Sequence, residues 1–243
     1  SQIIERAVKG NLDLKLAQSR IREERARRGI AKAGRFPTID ATGSTTRQQS
    51  SKESGLGQTN NLHSTGFDAS WEVDLFGGIQ RSIESAEATV AAKEEELNDT
   101  LVTLVAEAAL NYVEIRTFQA RLKAAEKNLK SQEDTLQIVK DRLASGLTTS
   151  LTLEQANYNL ESTKSEIPTL KIGIEQGKNG LAVLLGEFPG GLRQELDNYK
   201  PVPVLPIEVA IGVPADLLRR RPDIRRTERE LAVYQAYVSV KIG

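Results

Sequence analysis

Between Ile79 and Ser145 the chain runs 67 residues without a proline or a glycine. Apolar side chains recur along it at helical spacing, from Ile79, Ile83, Ala86 and Val90 through Leu97, Leu101, Leu104 and Ala108 to Leu136, Val139 and Leu143. At ~1.5 Å per residue this predicts roughly 100 Å of helix, far longer than a compact domain of this chain length is wide. The apolar stripe is narrow, alanine-rich and flanked by charge of the "KAAEKNLKSQED" type. Such a stripe is buried by other helices, not by a globular core. A solvated coiled-coil scaffold accounts for this segment taken alone.

The helix is expected to stop at "ASGLTTSLTLEQA", where Gly146 suits the left-handed residue just past a helix end. Thr152 with Gln155 reads as a capping box for the next helix, so Leu147 to Ser150 form the blunt tip of an antiparallel helical hairpin. The returning helix extends to about Leu185, and Pro168 is expected to kink or split it. Residues 78–186 therefore read as one long helical hairpin with its tip at 146–151. A proline-rich strap of extended or turn segments follows over 187–215, and helix resumes over 216–243.

A different periodicity lies between Phe36 and Gly77. In Leu62 to Phe76, Phe67, Ala69, Trp71, Val73 and Leu75 fall on one side of a strand; Asp68, Glu72 and Asp74 fall on the other. Pro37 to Ser50 repeats this more weakly, with Ile39, Ala41 and Gly43 opposite Thr38, Asp40 and Thr42. The polar stretch "SSKESGLGQTNN" suits the loop of a hairpin. A soluble antiparallel sheet has the same alternation. Two strands alone are marginal, however, and the flanking helices offer no broad apolar surface to cover them. A membrane barrel resolves this, with hydrocarbon on the apolar face and a wet lumen on the carboxylates. Phe36 and Phe76 then lie near one interface. Gly77 and Gly78 mark the junction where strand becomes helix, since glycine permits a sharp redirection.

Composition excludes several function classes. The 33 basic residues balance 33 acidic ones, so no electrostatic case for nucleic acid arises. Without cysteine there are no disulfides, thiolate metal sites or cysteine nucleophiles. The single histidine, His63, lies in a polar stretch. No catalytic constellation, metal site or cofactor motif is present: "GLTTSLTLE" lacks the second glycine and the lysine of a phosphate loop. Glu94, Glu95 and Glu96 read as a solvated helix face. The chain is not expected to be an enzyme. Arg25, Arg27, Arg28, Lys32 and Arg35, which precede the first strand, read either as a solvated face or as contacts to lipid headgroups.

Shifted by 210 positions the chain matches itself: Leu14 falls on Ile224, Ile21 on Leu231 and Ile30 on Val240. A short helix, a break and a longer helix follow in both copies, which suggests a duplicated helix–hairpin–helix–helix unit whose second copy begins at 216.

The stretches "WEVDLFGG", "RLASGLTTSLTLEQA", "IPTLKIGIEQGKNGLAVLLG" and "GVPADLLRRRPDIRRTE" closely resemble signatures of the TolC-like outer-membrane factors, in particular their drug-efflux lipoprotein branch. The resemblance covers essentially the whole chain, as roughly the first half of a mature protein. It implies a mainly α fold with a β-hairpin: a long antiparallel coiled-coil hairpin of a periplasmic tunnel plus two strands of a trimeric transmembrane β-barrel. Residues 1–35 would belong to the tunnel and equatorial region, 36–77 to the barrel hairpin with its external loop, and 187–215 to the equatorial strap. Three copies of two strands give only six, too few for an open lumen, so two further strands per chain are expected in a second half. The lipidated cysteine is expected upstream of Ser1 and the gate in that second half.

The implied function is passive conduction of drugs or other small molecules out of a Gram-negative cell, as a homotrimer in outer-membrane lipid. Its implied partners are a periplasmic membrane-fusion adaptor and an inner-membrane pump. The resemblance assigns Gly146, Leu147, Thr148, Thr149 and Ser150 to the adaptor contact. Asp40, Asp68, Glu72 and Asp74 would line the lumen and bias it toward cations. The alternative is a soluble periplasmic coiled-coil scaffold or adaptor without a pore.

Overall fold

A computed structural model describes residues 2–51, 53, 57–203 and 214–242. In chain order the elements are α1 (Gln2–Gly10), α2 (Leu12–Ala33), β1 (Thr38–Gln49), β2 (Thr59–Ser70), α3 (Gly78–Ala144), α4 (Ser150–Leu184), α5 (Arg193–Leu196), α6 (Pro214–Arg220) and α7 (Pro222–Ile242). The 67-residue helix is present at almost the expected bounds. The elements fall into two units, Ser1–Gln18 with Glu96–Arg221, and Ser19–Glu95 with Pro222–Gly243.

The first unit owns the densest core. Ala7 of α1, Leu14 of α2, Leu104, Ala108 and Ile115 of α3, Leu181 and Ala182 of α4, and Leu192 and Leu196 of the strap form one buried cluster. Each fully buried leucine contributes about 1.5–3 kcal/mol relative to leaving it in water. Asn11, only 4% exposed, sits at the turn between α1 and α2. Its Oδ1 accepts from the Leu14 backbone N–H at 3.0 Å, capping α2, while its Nδ2 donates to the Leu184 carbonyl at 3.1 Å.

Three local expectations change. The N-cap of α4 is Thr149, not Thr152: its hydroxyl accepts from the Thr152 N–H, so Ser150 is already helical and the tip is shorter. Helix α4 is not split at Pro168: it runs as one element from Ser150 to Leu184, with Leu160 and Leu170 buried on either side of the proline. The strap is not wholly irregular. Leu192 and Leu196, four residues apart and each 1% exposed, draw the chain into the short helix α5. The strap's residues 204–213 lie outside the described ones.

In the second unit α2 and α3 are joined by an antiparallel ladder of ion pairs, Arg25 to Glu94 at 2.7 Å and Lys32 to Glu87 at 2.8 Å. Ile21, Ile83 and Val90 are buried. Helix α7 is tied in through Arg225 and Glu95, 2.5 Å apart. Under the 210-residue shift, the break at Asn11 falls on Arg221 and the start of α2 on the start of α7. The basic run before β1 pairs within the chain while staying about half exposed: Arg25 and Lys32 pair with α3, Arg27 with Glu23 and Glu24, and Arg35 with Gln80. These four therefore serve intramolecular contacts.

Candidate functional site: the strand hairpin and the helical tip

β1 and β2 pair antiparallel in unbroken register from Thr38 opposite Ser70 to Gln49 opposite Thr59. With no bulge, every odd-numbered residue of both strands shares one face and every even-numbered residue the other. From the helix end outward, the odd face carries Ile39 and Ala69, Ala41 and Phe67, then Gly43 and Thr65. The even face carries Thr38 and Ser70, Asp40 and Asp68, Thr42 and Gly66, Ser44 and Ser64. The separation into an apolar and a polar face therefore holds over the helix-end half of the hairpin; beyond Gly43 and Thr65 both faces are largely polar, with Leu62 an apolar residue on the even-numbered one.

Both faces are bare. Every residue of both strands is exposed, Phe67 at 87% and Ile39 at 71%. Among the described residues the sheet has no third strand, so both edges keep unpaired N–H and C=O groups.

β2 covers different residues from those expected. It begins at Thr59 and ends at Ser70, so of the proposed lipid-facing set only Phe67 and Ala69 lie in the strand; Trp71, Val73 and Leu75 lie beyond it. Likewise Asp40 and Asp68 occupy the polar face directly opposite one another, whereas Glu72 and Asp74 belong to the link that follows. The link has its own chemistry. Trp71 Nε1 donates to the Arg35 carbonyl at 3.2 Å, tying the chain leaving β2 to the chain entering β1. Asp74 Oδ2 accepts from the Gln80 backbone N–H at 2.8 Å and so caps the start of α3. Gly77 takes φ +79°, and α3 opens at Gly78. Alternation continues past Ser70 in the sequence, but the ladder ends there because the partner strand begins at Thr38, after Pro37, which has no N–H to donate.

At the other landmark, α3 ends in a paired-turn cap. The Leu147 N–H reaches the Arg142 carbonyl at 2.8 Å and the Gly146 N–H reaches Leu143 at 2.9 Å, with Gly146 at φ +71°. Leu147 is 74% exposed and Leu151 66% exposed.

The strap forms a third polar cluster, which sequence reasoning missed. Lys178 of α4 is only 5% exposed and donates to Asp197 at 2.5 Å and to Glu175 at 2.9 Å. Burial pulls its pKa down, but the hydrogen bonds to Asp197 and Glu175 outweigh this and leave it above the usual lysine value. The same bond from Lys178, with help from Arg193, holds Glu175 below the usual carboxylate range. Arg6 bridges Glu187 at 2.7 Å and Glu195 at 2.6 Å. A lysine at helical spacing on a charged helix gave no sign that it would be buried.

The signs set a pH window. Glu175, depressed in the folded chain, contributes stability above its unfolded value that is lost as pH falls through its folded one. Lys178, raised, contributes below its unfolded value and loses that only in strong alkali. The urea midpoint is thus expected to fall on acidification below about pH 4.5, and Glu175→Gln to flatten part of that fall. With Glu175 43% exposed, the difference stays within about 1 kcal/mol. Identical acid limbs for the two proteins would remove Glu175 from the account.

Long paired helices with a two-faced, uncovered strand pair inserted before them define the TolC-like channel architecture. The sequence profile described as outer membrane efflux protein matches residues 3–187. Nodulation protein T of Rhizobium leguminosarum bv. trifolii is 32% identical over 98% of this chain and 51% of its own length. Pyoverdine export outer membrane protein OpmQ of Pseudomonas aeruginosa is also 32% identical, over 98% of this chain and 52% of its own. The solved structure of the outer-membrane channel OprN superposes with a TM-score of 0.88 at 34% identity, over 98% of this chain and 54% of that one. The chain belongs to the outer membrane efflux protein family. It spans about half the length of the curated relatives it matches.

Proposed function

We propose that this chain supplies two barrel strands and one helical hairpin to each protomer of a trimeric outer-membrane efflux duct. One observation carries the reading: a two-stranded ribbon whose helix-end half has one apolar and one acidic face, bare on both faces and open at both edges. Water suits only one of those faces, and neither edge can stay unpaired in hydrocarbon. Closure with further strands, lipid outside and water inside, answers both demands. Twelve residues give roughly 40 Å of strand, enough at a ~40° tilt to cross a bilayer.

In this reading Phe67 and Ala69, with Ile39 and Ala41, face lipid. Asp40 and Asp68 face the lumen near its helix end, three copies setting six carboxylates around it. The helical tip, Gly146 to Ser150, receives a periplasmic adaptor that links the duct to an inner-membrane pump. The exposed Leu147 beside a glycine that leaves open space supports this assignment. Cargo passes without chemistry, as passive export of small molecules.

The full-length protein in planar bilayers tests the proposal. It is expected to give stable conductance that prefers cations, and Asp40→Asn with Asp68→Asn should bring the permeability ratio several-fold closer to unity. A preparation that stays soluble and monodisperse without detergent and never conducts would rule out the duct. Anion preference in the unmodified trimer would remove the role given to the two aspartates.

A further inference from the structure

The unbroken register orders the odd-numbered face by depth, and its far half departs from the apolar pattern. Beyond Gly43 and Thr65 come Thr45 opposite His63, then Arg47 opposite Asn61. Arg47 is the only cation in the two strands, and His63 the only histidine of the chain. On a face turned to lipid, a cation near the bilayer midplane costs about 2–4 kcal/mol, falling toward zero at the interface. Depth therefore decides whether Arg47 is a liability or a contact.

The helix end of the hairpin provides the reference level. Phe36 is 70% exposed, and Trp71 is pinned at the same level by its bond to the Arg35 carbonyl. From Phe36 to Arg47 is roughly 36 Å along an extended chain, or about 28 Å of depth at a ~40° tilt, against an apolar band of about 25 Å. Arg47 accordingly stands at the far rim, just past the hydrocarbon, and His63, opposite Thr45 at about 23 Å by the same reckoning, lies just beneath it at the edge of the apolar band. The two rims differ in chemistry: aromatic residues, Phe36 and Trp71, mark the helix end, whereas hydrogen-bond donors, Arg47, Asn61 and His63, mark the turn end.

We propose that Arg47 and His63 form a binding site for the phosphate groups of outer-leaflet lipid headgroups. This rests on the barrel reading above. The guanidinium fork matches phosphate oxygens bidentately. His63 Nδ1 lies 3.1 Å from the Thr45 hydroxyl. When that hydroxyl donates, Nε2 carries the ring proton and serves as a second donor to the same phosphate. The Asn61 amide opposite Arg47 adds another donor.

The test uses the full-length trimer in detergent, with native mass spectrometry counting retained lipid. The probes are bisphosphorylated lipid A, its phosphate-free form and inorganic phosphate. The unmodified channel is expected to retain the phosphorylated form about tenfold better than the phosphate-free one, the scale of one charge-assisted hydrogen bond. Arg47→Gln with His63→Gln should abolish the preference. Arg47→Lys, which keeps the charge but not the fork, should lose only part of it and covers the case in which the double variant fails to assemble. Equal retention of both lipids, or a preference indifferent to these substitutions, overturns the proposal. Displacement of lipid by millimolar inorganic phosphate overturns the headgroup assignment in favour of the free ion. Conductance of the same preparations separates the two readings: without it the barrel fails and the site with it, whereas conducting channels lacking phosphate preference sink the site alone.

Discussion

Gly10→Ala is expected to destabilise the helical core by about 4 kcal/mol or more, the range reserved for failures of packing or backbone geometry. Helix propensity argues the other way. Gly10 is the last residue of α1, and alanine there should gain up to about 1 kcal/mol. The clash decides the sign. A Cβ on Gly10 would stand 1.9 Å from the Leu185 carbonyl oxygen, and one on Gly186 would stand 2.4 Å from the Gly10 carbonyl oxygen. The ends of α1 and α4 thus cross backbone to backbone, with no side chain able to rotate away. Gly186 also sits at φ +70°, where its N–H and that of Glu187 close the end of α4 on Val183 and Ala182. Gly29→Ala provides the control. It lies inside α2 with nothing within 4 Å of the added carbon, so it should stabilise by about 0.5–1 kcal/mol. Urea midpoints of the two variants should move in opposite directions. A neutral Gly10→Ala would show that the two helix ends do not meet this closely.

The same crossing shows what the sequence disclosed and what it withheld. Periodicity gave α3 nearly to the residue, because 67 positions of one pattern leave little freedom. It also gave both strand faces over 38–44 and 64–70, since alternation depends only on the pleat. It failed where a local competitor intervened. Past Ser70 the alternation persists through Leu75, but Pro37 leaves those residues no partner strand, and Asp74 instead accepts from the Gln80 N–H at the start of α3. At the tip the sequence offered Thr152 with Gln155 as the cap, whereas Thr149 takes that position and accepts from the Thr152 N–H. The crossing of Gly10 with Gly186 and the bond from Asn11 to the Leu184 carbonyl join residues more than 170 apart, which no periodicity encodes. Of the candidate site, the left-handed Gly146 and the shared face of Asp40 and Asp68 were legible; the register that sets the two aspartates opposite one another and the chemistry of the link were not.

The buried guanidinium of Arg116 makes the second large prediction. It is 1% exposed, deep in α3, and its Nη1 donates to the Asn198 carbonyl at 2.7 Å, the Leu196 carbonyl at 3.3 Å and Gln119 Oε1 at 2.7 Å. The face of Tyr112 lies 5.0 Å from its carbon centre. These partners are mostly the carbonyls that end α5, so the charge is set against the negative end of a helical turn and pins the strap to α3. Arg116→Met, which keeps bulk, should cost about 2 kcal/mol for the carbonyls left in a dry site. Gln119 Nε2, already 2.6 Å from the Leu196 carbonyl, limits that loss. Arg116→Ala should cost about 4 kcal/mol, since a cavity is added to the lost hydrogen bonds. The order of the two urea midpoints, with faster amide exchange at Leu196 to Asn198 in both variants, separates anchoring from packing. A methionine variant as stable as the parent would mean that burying the charge had offset everything its hydrogen bonds return, and the strap would then be held by Leu192 and Leu196 alone.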